Sequence, residues 1–312
     1  MSNKISALQN VVLDTRLGGA ERILWQSREK NIMRAPDVIL KSVVFIGAQS
    51  LQAGSTDIAY RGTGFCVSVP SEQFSSRGYL YLITARHNIM QADGKPIIRL
   101  NNKDGSYHEA HCELEWSYHP TDETADIAVL RFPESSNQFD IATIPTSMFV
   151  TEATIIEKDL GPGDDTIVSG LFTRFYGNHK NIPVMRFGNV AMMPSEKIKQ
   201  KTPWAKTEIG LADAYLIEVR SIGGLSGSPV FIRRIFPKDK LEWRTEYYFL
   251  GLVHGHWDIS QSATGIQENI NVGLAHIVPA HKILETLNQP ALLDERRKAD
   301  DQEMARGTAV PD

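Results

Sequence analysis

The residue pattern predicts an all-β protein made of two successive groups of strands. Three observations carry this. Short apolar or alternating runs recur along most of the chain, with almost no helical periodicity between them. A polar interval at 133–140 splits these runs into two sets of about six. The length, 312 residues, lets each set bury its own core. Two barrels or two sandwiches would both fit, and strand periodicity does not choose between them.

Taken in order, residues 1–38 form an N-terminal extension, in which Ala20 to Trp25 after Gly18-Gly19 has the spacing of a short amphipathic helix. The first group, 39–145, has candidate strands at 43–46, 64–69, 79–84, 97–100 and 127–132. Leu114, Trp116 and Tyr118 occupy one face of a further run. The second group, 146–289, has candidates at 167–168, 184–193, 215–219, 229–232, 247–253 and 272–277. A helix then spans 279–288, with Pro279 at its start and Ile283, Leu284 and Leu287 on one face. Pro290 marks its end. Residues 290–312 are charged and poor in large apolar side chains, which reads as a polar, mobile tail.

Composition excludes several classes. With 42% hydrophobic and 22% charged residues, the chain is not wholesale disordered. A net charge of −4 and the lack of a dense Lys/Arg run argue against a nucleic-acid partner. No apolar stretch approaches ~18 residues, so no membrane span is expected. The first ten residues are polar and lead into no apolar signal core. The two cysteines, Cys66 and Cys112, then read as free thiols, and the expected compartment is the cytoplasm.

Three segments carry candidate chemistry. Gly223-Gly224-Leu225-Ser226-Gly227-Ser228-Pro229-Val230 is a glycine-rich turn running into an apolar strand. A serine hydroxyl becomes a nucleophile only beside a base, and backbone N–H groups can stabilise an oxyanion if the turn bends them inward. Leu82-Ile83-Thr84-Ala85-Arg86-His87 is a hydrophobic strand that delivers a histidine, a side chain whose ordinary pKa suits base catalysis. Ala125-Asp126-Ile127-Ala128 sets an aspartate just before another strand, where it can orient an imidazole or cap a turn.

In the order His, Asp, Ser, these segments resemble the trypsin-like serine peptidase family, from about Val43 to Leu287. Gly62-Thr63-Gly64-Phe65, Thr84-Ala85-Arg86-His87, Asp126-Ile127-Ala128-Val129-Leu130 and Gly224-Leu225-Ser226-Gly227-Ser228-Pro229 are similar to its motifs. Gly251-Leu252-Val253 looks like its substrate-pairing strand. The resemblance implies two six-stranded antiparallel, chymotrypsin-like barrels with a C-terminal helix. It also implies His87 as general base, Asp126 as its orienting partner and Ser226 as nucleophile, with the amides of Gly224 and Ser226 as oxyanion hole. A polypeptide substrate, an acyl-enzyme intermediate and no cofactor follow from it. The chain looks closer to bacterial and viral members than to digestive enzymes, because Leu225 stands where those carry an activating aspartate. Asn88 replaces a cysteine, and His254 a serine that supports the aspartate.

Arg220, six residues before Ser226, and His254 and His256 after the strand are the candidates for a substrate pocket, one that would suit an acidic or amide side chain. No metal site is expected, although His254-Gly255-His256 and His108-Glu109-Ala110-His111 have loose ligand spacings. Gly161 to Asp165 reads as a turn, and the lysines between 197 and 206, with Trp204 among them, as a solvated loop. No regulatory domain is recognisable, so control by a separate protein partner is expected. The alternative to a peptidase is an inactive peptide-binding or scaffold protein of the same fold.

Overall fold

The computed structural model describes residues 34–50, 57–132, 138–193, 195–205, 209–220, 223–237, 243–263 and 266–308. The expected helix at 20–25 lies outside the described residues. A short helix α1 (Asp37–Lys41) leads into β1 (Val43–Gln49), β2 (Ile58–Pro70) and β3 (Gly78–Thr84). Helix α2 (Arg86–Met90), β4 (Ile97–Asn101), β5 (Tyr107–His111), β6 (Ser117–Tyr118), β7 (Ala128–Arg131) and β8 (Ile144–Pro145) complete the first half. Its sheet runs β5-β4-β1-β2-β3-β7-β6, with β8 parallel on β2.

After a helix α3 (Glu152–Lys158) come β9 (Asp165–Gly170), β10 (Val184–Met192), and a ribbon of β11 (Ile198–Lys201) and β12 (Ile209–Ala212). Then follow β13 (Tyr215–Glu218), β14 (Pro229–Pro237), β15 (Trp243–Ala263) and β16 (Ile266–Pro279). Strands β10-β13-β16-β15-β14-β9 close into a barrel. Helices α4 (Ala280–Leu287) and α5 (Pro290–Thr308) end the described chain. The all-β class is the one observed, with one closed six-stranded barrel and helices at the C-terminal end. The first half differs in detail from the expected closed six-stranded barrel: it is a curled eight-stranded sheet, and no described ladder joins β6, only two residues long, to β5.

The period of two in the strands explains the stacking of the cores. In β3, Leu80 and Leu82 face the interior of the first sheet, while Tyr79, Tyr81 and Ile83 face the other way. In β14, Val230 and Ile232 fill the barrel and Phe231 points out of it. The residues turned outward from both halves meet in one shared core, where the Phe65 and Phe249 rings lie 5.3 Å apart. Strands buried on both faces carry apolar residues at consecutive positions, which is why these segments read as near-continuous apolar runs. Burying ring pairs of this kind contributes about 0.5–1.5 kcal/mol each beyond the area they cover.

The expectation of a mobile tail is corrected. Pro290 ends α4 but also opens α5, which packs against the first half through polar groups. Asp300, 2% exposed, accepts from Ser71 Oγ at 2.9 Å and from the Tyr79 hydroxyl. Buried Arg296 donates to the Tyr81 hydroxyl at 3.0 Å and to the Leu287 carbonyl at 2.8 Å. A polar composition read as solvated is thus satisfied inside the protein. Cys66 and Cys112 are free and buried. Among the described residues no helix is long and apolar enough to cross a membrane.

Candidate active site

The seam between the halves collects the three motif residues. Strand β3 ends at Thr84, and α2 begins two residues later, so His87 projects from its first turn. Asp126 sits two residues before β7 and is 0% exposed. Its Oδ1 accepts the His87 backbone N–H at 3.0 Å, and its Oδ2 accepts His87 Nδ1 at 2.7 Å. A carboxylate only accepts, so His87 carries its proton on Nδ1 and leaves Nε2 as the free base position. Burial opposes the charged form of His87, but the Asp126 charge and hydrogen bond outweigh it and hold its pKa above the ordinary histidine value. For Asp126 burial also opposes charge, and the His87 and His254 rings prevail, keeping its carboxyl below the usual carboxylate range.

Ser226 lies in the turn before β14. The turn needs its glycines. Gly224 has φ +101° and Gly227 φ +83°, a region L side chains avoid. A Cβ on Gly227 would lie 2.2 Å from the Thr63 carbonyl oxygen. The first half fastens this turn. The Ser226 carbonyl accepts from Thr63 N at 2.9 Å and Asn88 Nδ2 at 3.0 Å, while Thr63 Oγ1 donates to the Gly224 carbonyl at 2.7 Å. The Gly224 and Ser226 amides donate to no protein acceptor among the described hydrogen bonds. Ser226 Oγ donates to the His254 carbonyl at 3.2 Å, and no described hydrogen bond joins it to His87. Leu225, at the position without an aspartate, is 1% exposed and packs in the barrel core.

The pocket candidates divide. Arg220 and His256 are both exposed. His254 turns away from a pocket-wall role: its Nδ1 lies 2.6 Å from Asp126 Oδ2. The cause is a β-bulge, since Val253 pairs with Ile277 and Gly255 with His276, leaving His254 as the extra residue. His87, Asp126 and His254 each offer a ligand atom within 4.8 Å of the others, yet both nitrogens already meet the same carboxylate oxygen. On β5, His108 and His111 are three residues apart and so point to opposite faces.

Two residues escaped the sequence reading. Asn88, noted only as a replaced cysteine, ties the Ser226 carbonyl to Thr84 Oγ1 through one amide nitrogen. Trp204 follows β11 and stacks on His87 with ring centroids 6.4 Å apart, 15° between planes. Its Nε1 donates to the Glu123 carbonyl at 2.8 Å, and the Arg86 guanidinium lies 5.9 Å from its ring. The lysines around it read as a solvated loop. The structure instead folds that segment as a ribbon docked on the aspartate loop, with Gln200 Nε2 donating to the Thr124 carbonyl at 2.8 Å.

No protein-family model matches the sequence, and no curated protein matches it. Among solved structures, the chain is similar to the active form of the Rv3671c protease from M. tuberculosis, at 17% identity and TM-score 0.45, over 80% of each chain. It is also similar to Deg5, at 16% identity and TM-score 0.44, over 80% of this chain and 88% of that one. The inactive form of the Rv3671c protease matches at 17% identity and TM-score 0.41, over 80% of this chain and 88% of that one.

Proposed function

We propose that this chain is a serine endopeptidase working through His87, Asp126 and Ser226. The observation that carries the reading is the pair of bonds from His87 to one buried carboxylate, with the Ser226 turn fastened beside it by Thr63 and Asn88. On this reading Ser226 Oγ turns from the His254 carbonyl toward His87 Nε2, which takes its proton as the oxygen attacks the scissile carbonyl. Asp126 stabilises the imidazolium. The Gly224 and Ser226 amides receive the oxyanion. His87 then protonates the leaving amine, and water releases the acyl group. A polypeptide substrate, cytoplasmic action and control by a separate protein partner belong to the same proposal.

A second reading, a peptide-binding protein of this fold without activity, has one observation in its favour: the Ser226 hydroxyl bonds to a carbonyl, not to His87. Catalytic hydrogen bonds often tighten only in the substrate complex. A fluorophosphonate probe separates the two. Covalent labelling of the wild type that disappears in Ser226→Ala is expected. Labelling that persists in Ser226→Ala, or a folded wild type that never labels with its native partners present, would falsify the peptidase reading.

A further inference from the structure

Arg86, the residue before His87, is a cation without an acid beside it. It opens α2, and its guanidinium lies 4.5 Å from the Tyr118 ring centroid and 5.9 Å from that of Trp204. Among the described residues its side chain forms no hydrogen bond and no ion pair, and its Nε is buried without a partner. The residue as a whole stays partly exposed. By contrast, Arg99, Arg234 and Arg296 all reach oxygen acceptors. Asp126, the buried acid of the seam, is engaged by the His87 and His254 rings and not by Arg86. The aromatic faces hold the flat cation in place but use none of its N–H donors. Those donors stand next to the base, because the indole that meets Arg86 also stacks on His87 at 6.4 Å.

We propose that Arg86 is a specificity-determining residue, whose guanidinium, held against Tyr118 and Trp204, receives an Asp or Glu carboxylate of the polypeptide substrate near the scissile bond. The inference rests on the peptidase reading above and gives it a substrate class, polypeptides with an acidic side chain close to the cut. The sequence placed an acidic preference on Arg220, His254 and His256. The structure leaves Arg220 and His256 exposed and bonds His254 to Asp126, so Arg86 supplies the preference from another place. A guanidinium suits the task. It is weakly hydrated, always charged and already fixed by its aromatic neighbours, so pairing with a carboxylate gives up little water and little side-chain freedom. An amide side chain of the same length accepts a weaker bond at that place. A lysine there is repelled.

The test digests a randomised peptide library with the full chain and reads the cut sites by mass spectrometry. At each position flanking the cut, Asp and Glu are scored against Asn and Gln. Wild type is compared with Arg86→Met, which keeps the apolar stem, Arg86→Lys, which keeps the charge, and Arg86→Glu. Each ratio is internal to one variant, so a variant that folds less fully or cuts more slowly still reports. Wild type is expected to enrich acidic over amide side chains about 3- to 30-fold at one position, and less so as salt rises. Arg86→Met loses the enrichment, Arg86→Lys keeps part of it, and Arg86→Glu turns it toward Lys and Arg. A wild type that cuts with no acidic enrichment overturns the inference, as does an enrichment unchanged in Arg86→Met. Capture of the same library on Ser226→Ala repeats the comparison without catalysis. Acidic peptides captured there and lost with Arg86→Met, from a wild type that never cuts, would uphold the carboxylate site and overturn the peptidase reading. Neither cutting nor capture would overturn both.

Discussion

At the residue scale, His87 lies between burial, which disfavours its charge, and Asp126, which favours it, and Asp126 wins. A base must be neutral to act, so labelling of Ser226 should rise with pH through a value above about 6.5. Trp204 supplies part of the burial. Trp204→Ala should therefore raise the His87 pKa further and move the acid limb of labelling to higher pH, a shift that histidine NMR titration would read directly. No shift, or a downward one, would remove Trp204 from this role. His276 is the opposite case. Burial, helped by nearby His254, pushes its pKa down to about 4. Below about 6.5 the unfolded chain binds a proton that the native ring refuses, so this group's contribution is full above 6.5 and lost as pH falls toward 4. The loss should approach about 3 kcal/mol, and urea midpoints at pH 7 and pH 4.5 should differ less in His276→Phe than in wild type. The candidate residues His87, Asp126 and Ser226 were legible because each stands at a strand end or between glycines, positions with a mechanical reason. For His254, the resemblance pointed to a place beside Asp126, but the bulge that turns its ring there leaves no mark in residue types.

Element boundaries reflect the same division. Strands 43–46 and 79–84 were legible from apolar runs whose alternate residues feed two different cores. The ribbon β11–β12 and strand β5 were not, since each has only a few buried residues amid polar ones. Helix α5 was the largest miss. Its packing face sets Arg296 and Asp300, which composition counts as solvated, beside Leu292, and the hydroxyls that pair with them belong to tyrosines more than 200 positions away in the chain. Arg296→Met leaves the Leu287 carbonyl and the Tyr81 hydroxyl without this donor, and should cost about 3 kcal/mol in denaturant unfolding. Amide exchange over 290–308 should quicken with it. A variant as stable as wild type, with unchanged exchange, would show that the helix is held by other means.

Across the whole molecule, the two halves share a core and are also clasped by Arg99 on β4. This guanidinium, 2% exposed, donates to the Gly177 carbonyl at 2.9 Å and lies 3.8 Å from the Tyr107 ring centroid and 5.2 Å from that of Tyr176. Beside it Asn181 Nδ2 donates to the Arg99 carbonyl at 2.6 Å. The segment between β9 and β10 in the second half is thus pinned to the first. Arg99→Met should lower stability by about 3 kcal/mol and speed limited proteolysis within 172–183. Cleavage no faster than in wild type would refute the clasp. The clasp was not legible in the sequence, because an arginine inside an apolar strand gives no hint of where its acceptors lie.

The fastening of the Ser226 turn by Thr63 and Asn88 has a consequence for how the chain comes into being. Synthesis proceeds from the N-terminus, and domains tend to fold as they emerge. His87 and Asp126 can pair once the first half is out, but the loop that carries Ser226 is secured partly from within the second half, where Gly227 N donates to the Val253 carbonyl and Gly251 pairs with Pro279. A nascent chain on the ribosome therefore holds a finished base long before it holds a placed nucleophile. On the proposed function, the ability to cut would arrive only with the last strands, a delay written into the order of the residues themselves.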